Sequence, residues 1–283
     1  MSDRLLRLYP EPSVTSEHTG RYLADPLVGD GHAGPFIYSN FVTSLDGRIA
    51  VAEGADAGRA VPRAIANPRD WRLFQELAGR AELLITSGRY LRELSAGTAQ
   101  DVLPVSSAPE FRDIHDWRYQ QGMAAQPDVM VLSTTLDFPP PARLAEQGRR
   151  VLIVTTQRAG ADRRLGHEAV GAEVINCPGD ADGVSGASVR ELIAEQGFAT
   201  AYSVTGPDVL ATLAAGDALD ALFLTTVHRL LSGRDFSTIT RGGPLEPALD
   251  LELTSLYLDT AAPSGSSQTF ARYDRRRRTG SSA

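Results

Sequence analysis

The chain has 283 residues, 42% of them hydrophobic and only 7% aromatic, with a formal net charge of −7. That acidic balance repels nucleic acid and anionic lipid, and it excludes both as general partners. All 28 basic residues are Arg, so there is neither a Schiff-base lysine nor a Walker-type phosphate loop, and phosphate recognition falls to Arg, backbone N–H groups and hydroxyls.

Residues 1–34 mix Pro, Gly and charge with weak periodicity, and read as an arm over the surface carrying one short helix. A strand is expected over 36–42, ending at Leu45-Asp46-Gly47. A helix follows over 68–77, with Asn67 as N-cap and Pro68 in its first position. The apolar run 83–86 leads into Ser87-Gly88. The stretch 96–127 is long, polar and Pro-containing, and reads as an insertion with a helix near 110–121. Short apolar runs at 129–132, 151–154 and 173–175 read as strands, and 188–195 as a helix. A strand over 199–204 enters Thr205-Gly206-Pro207, and a helix covers 209–215. Strands are expected over 221–227, 251–258 and 269–273. Residues 274–283, DRRRRTGSSA, read as a mobile basic tail.

Short apolar strands alternating with helices predict a three-layer α/β/α domain over 35–273 around a mostly parallel mixed sheet. The last two strands lack a helix between them, which predicts an antiparallel edge. Cys177 is the only cysteine and the five His are scattered, so neither a disulfide nor a metal site is expected. No apolar run approaches the ~20 residues of a membrane span. With a polar start to the chain as well, a cytoplasmic location is expected.

Ligands of open α/β sheets bind beyond the carboxyl ends of the strands. Four such ends here carry hydroxyls, small residues or Arg: Thr86-Ser87-Gly88-Arg89, Ser133-Thr134, Thr155-Thr156-Gln157-Arg158 and Thr205-Gly206-Pro207-Asp208. The last opens a helix, whose free N–H groups and positive dipole end suit an anion. Each motif also reads as an ordinary N-cap or turn. No G-x-G-x-x-G is present, so a Rossmann dinucleotide site is not expected.

Three ordered segments resemble the reductase domain of the bacterial riboflavin deaminase–reductase family, which has a dihydrofolate-reductase-like fold. They are Ser39-Asn40-Phe41-Val42-Thr43-Ser44-Leu45-Asp46-Gly47-Arg48-Ile49-Ala50, then Ala81 to Tyr90, then Val204-Thr205-Gly206-Pro207-Asp208-Val209-Leu210 running on to Gly233. The first is similar to the family's S-L-D-G-[KR]-I-A. The third is similar to its G-G-P…L-L-x-A-G run, but Val204-Thr205-Gly206 stands where E-G-G is common. The zinc deaminase motif of the full-length family is absent.

The resemblance implies an NADPH-dependent reductase that delivers hydride to the sugar C1 of a phosphoribosylaminopyrimidine and opens the ribose to a ribityl chain. A paralogue reducing another pteridine-like or carbonyl compound, and a non-catalytic nucleotide-binding protein on the same scaffold, are the alternatives. It implies cofactor contacts at Thr86, Gly88, Arg89, Ser133, Thr155, Thr156, Gly206, Pro207, Asp208, Val209 and Leu210. Substrate contacts fall on Asn40, Thr43, Ser44 and Asp46, with Asp46 as the catalytic carboxylate and an Asp-Gly turn as its structural alternative. Arg112 and Arg118 are candidates for the substrate 5′-phosphate, or else a solvated helix face. Arg89 or Arg158 near a 2′-phosphate would favour NADPH. A homodimer is implied as well.

Overall fold

The computed structural model describes residues 3–29, 32–52, 59–98, 105–156, 160–179, 183–262 and 265–276. In chain order its elements begin with β1 (Arg4–Tyr9), β2 (Val14–Glu17), α1 (Arg21–Ala24), β3 (Phe36–Ser44), β4 (Ala50–Ala52) and β5 (Arg59–Ala60). Next come α2 (Pro68–Arg80), β6 (Leu83–Ser87), α3 (Gly88–Ser95), α4 (Arg112–Gln120), β7 (Asp128–Leu132), α5 (Ala142–Glu146), β8 (Val151–Thr155), α6 (Ala161–Glu168) and β9 (Glu173–Asn176). The last are α7 (Gly186–Glu195), β10 (Thr200–Ser203), α8 (Pro207–Ala215), β11 (Ala221–Val227), β12 (Phe236–Ser237), β13 (Leu251–Asp259) and β14 (Gln268–Arg275).

One sheet runs in the order β2-β1-β13-β14-β11-β3-β10-β6-β7-β8-β9. From β11 to β9 all neighbours are parallel; from β11 outward through β14, β13, β1 and β2 they are antiparallel. The fold is thus α/β with a mixed, mostly parallel sheet and an antiparallel edge, as expected. A small second sheet pairs β12, β4 and β5 beside the turn that follows β3.

Strand β6 shows why the parallel strands are apolar without alternation. Leu83 and Ile85 enter the core under α7 and α8, with Val189, Ile193 and Leu213. Leu84 enters the opposite core under α2 and α4, with Leu73, Leu77 and Ile114. Burying each such side chain contributes about 1.5–3 kcal/mol, and a strand covered on both faces gains it at every position. Helix α2 begins where expected because Asn67 accepts hydrogen bonds from the N–H groups of Arg69 and Asp70, at 3.1 and 3.0 Å, with Pro68 in its first turn. Asn67 also donates to Gln268 Oε1 at 2.9 Å, which ties the cap to the start of β14.

Three expectations are corrected. The N-terminal segment is no arm over the surface: β1 pairs with β13 and β2 with β1, extending the sheet, while α1 packs on α2. The chain does not leave the fold at 274, because Asp274 and Arg275 are paired in β14 and the Arg276 N–H bonds to the Asp250 carbonyl. The rest of the tail, 277–283, lies outside the described residues. In 96–127, α4 forms close to where it was expected, but it is integral to the core: Ile114 is fully buried against α2.

Candidate active site

The sheet has a topological switch between β10 and β6, adjacent parallel strands whose following helices go to opposite faces. Helix α8 follows β10 and buries Val209, Leu210 and Leu213 in one core. Helix α3 follows β6 and buries Leu91 in the core on the other side. The two chains diverge beyond the carboxyl ends of the strands and leave a crevice there, the usual ligand position in such sheets.

Most of the expected hydroxyl groups stand along that edge. Thr86 is buried at the end of β6, with its Oγ1 lacking a hydrogen-bond partner among the described residues. Ser87 caps α3 by accepting from Tyr90 N. Gly88 opens α3 where there is no room for a side chain: a Cβ there would lie 2.7 Å from the Phe138 ring and 3.0 Å from Ser133 Oγ. Ser133 Oγ accepts from Leu136 N at 3.2 Å, closing the turn after β7. Thr155 and Thr156 are buried at the end of β8, and Thr156 Oγ1 has no partner among the described residues. Gln157 and Arg158 lie outside the described residues.

Gly206 is the N-cap of α8 and makes no side-chain cap; a Cβ there would meet nothing within 4 Å. The first-turn N–H groups of Asp208 and Val209 have no carbonyl behind them within the helix. The negative charge of Asp208 is paired with Arg241 through two bonds of 2.9 and 2.8 Å. Arg241 was not among the expected residues; it comes from a Gly-rich loop with no motif to mark it. Arg89 is exposed in the first turn of α3 and paired with Glu93 at 2.8 Å.

On the other side of β10, the end of β3 forms a tight turn. Gly47 takes φ 81, the Ser44 N–H donates to the Arg48 carbonyl, and the Arg48 N–H donates to the Ser44 hydroxyl oxygen. Asp46 is fully engaged by protein groups. Its carboxylate accepts from the Ser44 hydroxyl, from Leu231 N at 3.2 Å, from Ser232 N at 2.8 Å and from Arg48 at 2.7 Å. The Ser44 hydroxyl and the Ser232 N–H hold its pKa down to about 2. Thr43 donates to the Ser44 carbonyl at 3.1 Å. Asn40 is half-buried and accepts from the Tyr202 hydroxyl.

Two placements, Arg118 and Leu210, differ from expectation, and Arg112 takes its solvated alternative. Arg118 is 1% exposed and donates to the carbonyls of Gly79, Ala81 and Ala124 at 2.7–2.8 Å. Gly79 and Ala81 lie at the end of α2, before β6 begins, so this guanidinium sits at the edge of the sheet away from the crevice. Arg112 is exposed on the first turn of α4, with no hydrogen bond or ion pair among the described residues. Leu210 offers nothing to a ligand, because its side chain is 2% exposed in the core and its N–H bonds to the Gly206 carbonyl. Val209 likewise has a buried side chain and only its N–H to contribute.

Sequence reasoning also passed over Asp70. It lies in the first turn of α2, with carboxylate oxygen Oδ1 buried and without a well-formed hydrogen bond among the described residues. Burial raises its pKa from 3.8 to about 6; Thr225 pulls it back in part, without completing a hydrogen bond of good geometry. A further concavity, about 590 Å³ and lined by Arg92, Phe138, Arg163 and His167 among others, lies behind α3 rather than at the strand ends.

Fold and geometry together define an α/β protein with a topological switch, and so a candidate ligand site, between β10 and β6. The sequence matches the RibD C-terminal domain family over residues 35–261, and the chain belongs to that family of riboflavin-biosynthesis reductase domains. Among solved structures it is similar to a pyrimidine reductase-like protein from Corynebacterium diphtheriae, with a TM-score of 0.61 and 20% identity over 86% of this chain and 93% of that one. It is similar to Acinetobacter baumannii RibD, TM-score 0.58 and 15% identity, over 86% of this chain but only 58% of the longer protein. The Saccharomyces riboflavin biosynthesis reductase Rib7 aligns with TM-score 0.52 and 10% identity over 88% and 93% of the two chains. No curated protein matches the chain.

Proposed function

We propose that this chain is a pyrimidine reductase that takes NADPH as cofactor and opens the ribose of a phosphoribosylaminopyrimidine to a ribityl chain. Family membership supports the reaction class. The observation that carries the cofactor reading is the row of groups along one sheet edge. The open N-terminus of α8 is followed by Thr86, Gly88, Ser133, Thr155 and Thr156 on successive strands. Neighbouring strands lie about 4.8 Å apart, so β10 to β8 spans about 14 Å, a length suited to an extended dinucleotide.

The donors fit that group. Thr86 Oγ1 and Thr156 Oγ1 are buried without partners among the described residues, and the space in front of Gly206 is open. In this reading the α8 N–H groups hold the diphosphate, and Gly88 lets the cofactor approach the backbone. Arg241 neutralises Asp208, which would otherwise oppose a phosphate. Arg89, released from Glu93, pairs with the 2′-phosphate. NADPH supplies the hydride when bound; the protein positions the reacting carbon and excludes water.

On the substrate side, Asn40 and Thr43 are carried on the half of β3 that leads to its carboxyl end. Asp46 acts as a positioning residue, because its four bonds fasten the turn after β3 to the loop after β11. The test is a fluorescence titration of the protein with NADPH and with NADH. Saturable binding that favours NADPH supports the reading; binding of neither at high protein concentration overturns it.

A further inference from the structure

The cavity behind α3, about 590 Å³, stands apart from the strand-end crevice. Its walls come from three elements: Arg92 and Ser95 on α3, Phe138 and Pro139 in the turn after β7, and Arg163 and His167 on α6. At 1.5 Å per residue, the stretch 92–96 lies about 6–12 Å along the helix from Gly88 and the cofactor edge. The volume falls in the range that holds a small organic molecule.

One buried group on this wall lacks a partner. His167 is 2% exposed, and its Nδ1 has no hydrogen bond among the described residues. A carbonyl can only accept, so His167 Nε2, 3.3 Å from the Leu136 oxygen, carries the proton, and Nδ1 of the neutral imidazole is an acceptor. The turn that supplies that carbonyl is tightly built. Leu136 takes φ 53, in the left-handed region that Leu rarely enters, and the same oxygen accepts from Phe138 N at 3.0 Å. A buried acceptor without a donor is costly, and this one belongs to a side chain that lines a cavity. With Nε2 held by Leu136, Nδ1 is the nitrogen left for a bound molecule.

Two guanidiniums gather over the same turn. Arg92 Nη1 donates to the Asp137 carbonyl at 2.5 Å, Arg163 Nη1 donates to the Thr135 carbonyl at 2.9 Å, and Arg163 Nη2 lies 3.4 Å from the Asp137 carboxylate. The Arg163–Asp137 pair is more than half exposed on both sides. Such a surface pair contributes little, so a phosphate can take over both guanidiniums through charge-assisted bonds. We propose that this cavity is a second ligand site, distinct from the cofactor crevice, and that it takes a nucleoside monophosphate. The base lies against Phe138 and Pro139 and donates a ring N–H or amino hydrogen to His167 Nδ1, while the phosphate sits between Arg92 and Arg163. A simple anion would leave the apolar wall and the imidazole unused, and an apolar ring alone would leave the imidazole and both guanidiniums unused. The site does not depend on the reductase reading.

The test is calorimetric titration of the full chain with AMP, GMP, CMP and UMP, with the four nucleosides, and with inorganic phosphate. At least one monophosphate should bind about 10-fold or more tightly than its nucleoside and than inorganic phosphate. Arg163→Gln should erase the advantage of the monophosphate while leaving nucleoside binding unchanged, and its urea midpoint should stay at the wild-type value because the side chain is half exposed. His167→Phe, which removes the acceptor and keeps a ring of similar size, should weaken nucleoside and monophosphate alike by about 10-fold. Binding of the monophosphate should persist in saturating NADPH. Several results would overturn the proposal: no monophosphate binding at millimolar concentration, inorganic phosphate binding as tightly as the monophosphates, affinities unchanged in a folded Arg163→Gln variant, or displacement of the monophosphate by NADPH, which would assign it to the cofactor crevice.

Discussion

Gly206→Asp separates cofactor binding from folding, because the two effects have opposite signs. The residue is the N-cap of α8 in an extended conformation, and a Cβ there meets nothing within 4 Å. Asp is a favoured cap, so the free protein should gain a few tenths of a kcal/mol over Gly. The same carboxylate occupies the N–H groups of Asp208 and Val209 that the diphosphate needs, and adds a negative charge beside it. At about 5 Å and an effective dielectric of about 20, one pair of unit charges repels by about 3 kcal/mol; solvent exposure at the crevice mouth brings this to about 2–3 kcal/mol. NADPH affinity should fall about 30- to 150-fold. Fluorescence titration measures the binding, and urea denaturation measures the stability. Gly206→Ala is the control and should bind NADPH nearly as well as wild type. An Asp variant that is folded and binds NADPH within about twofold of wild type would refute the placement of the diphosphate at α8.

Other perturbations test the rest of the account. Arg118→Met removes three buried hydrogen bonds to the Gly79, Ala81 and Ala124 carbonyls and should destabilise by about 3–5 kcal/mol, seen as a lower urea midpoint with NADPH affinity retained. Loss of substrate affinity at unchanged stability would return Arg118 to the phosphate site. Gly88→Val drives a side chain into Phe138 and Ser133; overpacking of this kind costs about 1–3 kcal/mol, and thermal melts should show it alongside weakened NADPH binding. Asp46 has a depressed pKa, near 2, so its anchoring is complete above the ordinary carboxylate range and is lost as pH falls toward 2. Asp46→Asn should therefore speed amide exchange at Leu231 and Ser232 at neutral pH, and acidification should do the same to wild type. Unchanged exchange in either case would mean that other contacts hold the loop.

The parallel half of the fold was legible because each signal was local. Apolar runs such as 83–86 and 151–154 are long enough for strands and too short for helices, and Asn67-Pro68 announces α2 by cap chemistry alone. The edge strands were hidden. In β1, Leu5 is buried while Leu6 and Leu8 remain partly exposed, a weak pattern flanked by Pro10 and Pro12, and its partner β13 lies at the far end of the chain. The row of strand-end hydroxyls could be read, since strand ends follow from strand positions. Arg118 and Asp70 could not. An Arg in a polar helix and an Asp in a first turn both read as solvated, and their burial is decided by Gly79, Ala81 and Thr225, which only tertiary packing brings near. Asp46 lay between these cases: its place in the motif was visible, but the Leu231 and Ser232 N–H groups that occupy it were not.

The central claim is hydride transfer from a nicotinamide cofactor to the sugar carbon of a phosphoribosylaminopyrimidine. The direct measurement is incubation of the protein with NADPH deuterated at the transferable position and the phosphoribosylaminopyrimidine, followed by mass spectrometry of the product. The account predicts a ribityl product carrying a single deuterium, at a rate lost in Gly206→Asp. Unreduced substrate, recovered after prolonged incubation with protein that demonstrably binds both compounds, would contradict it.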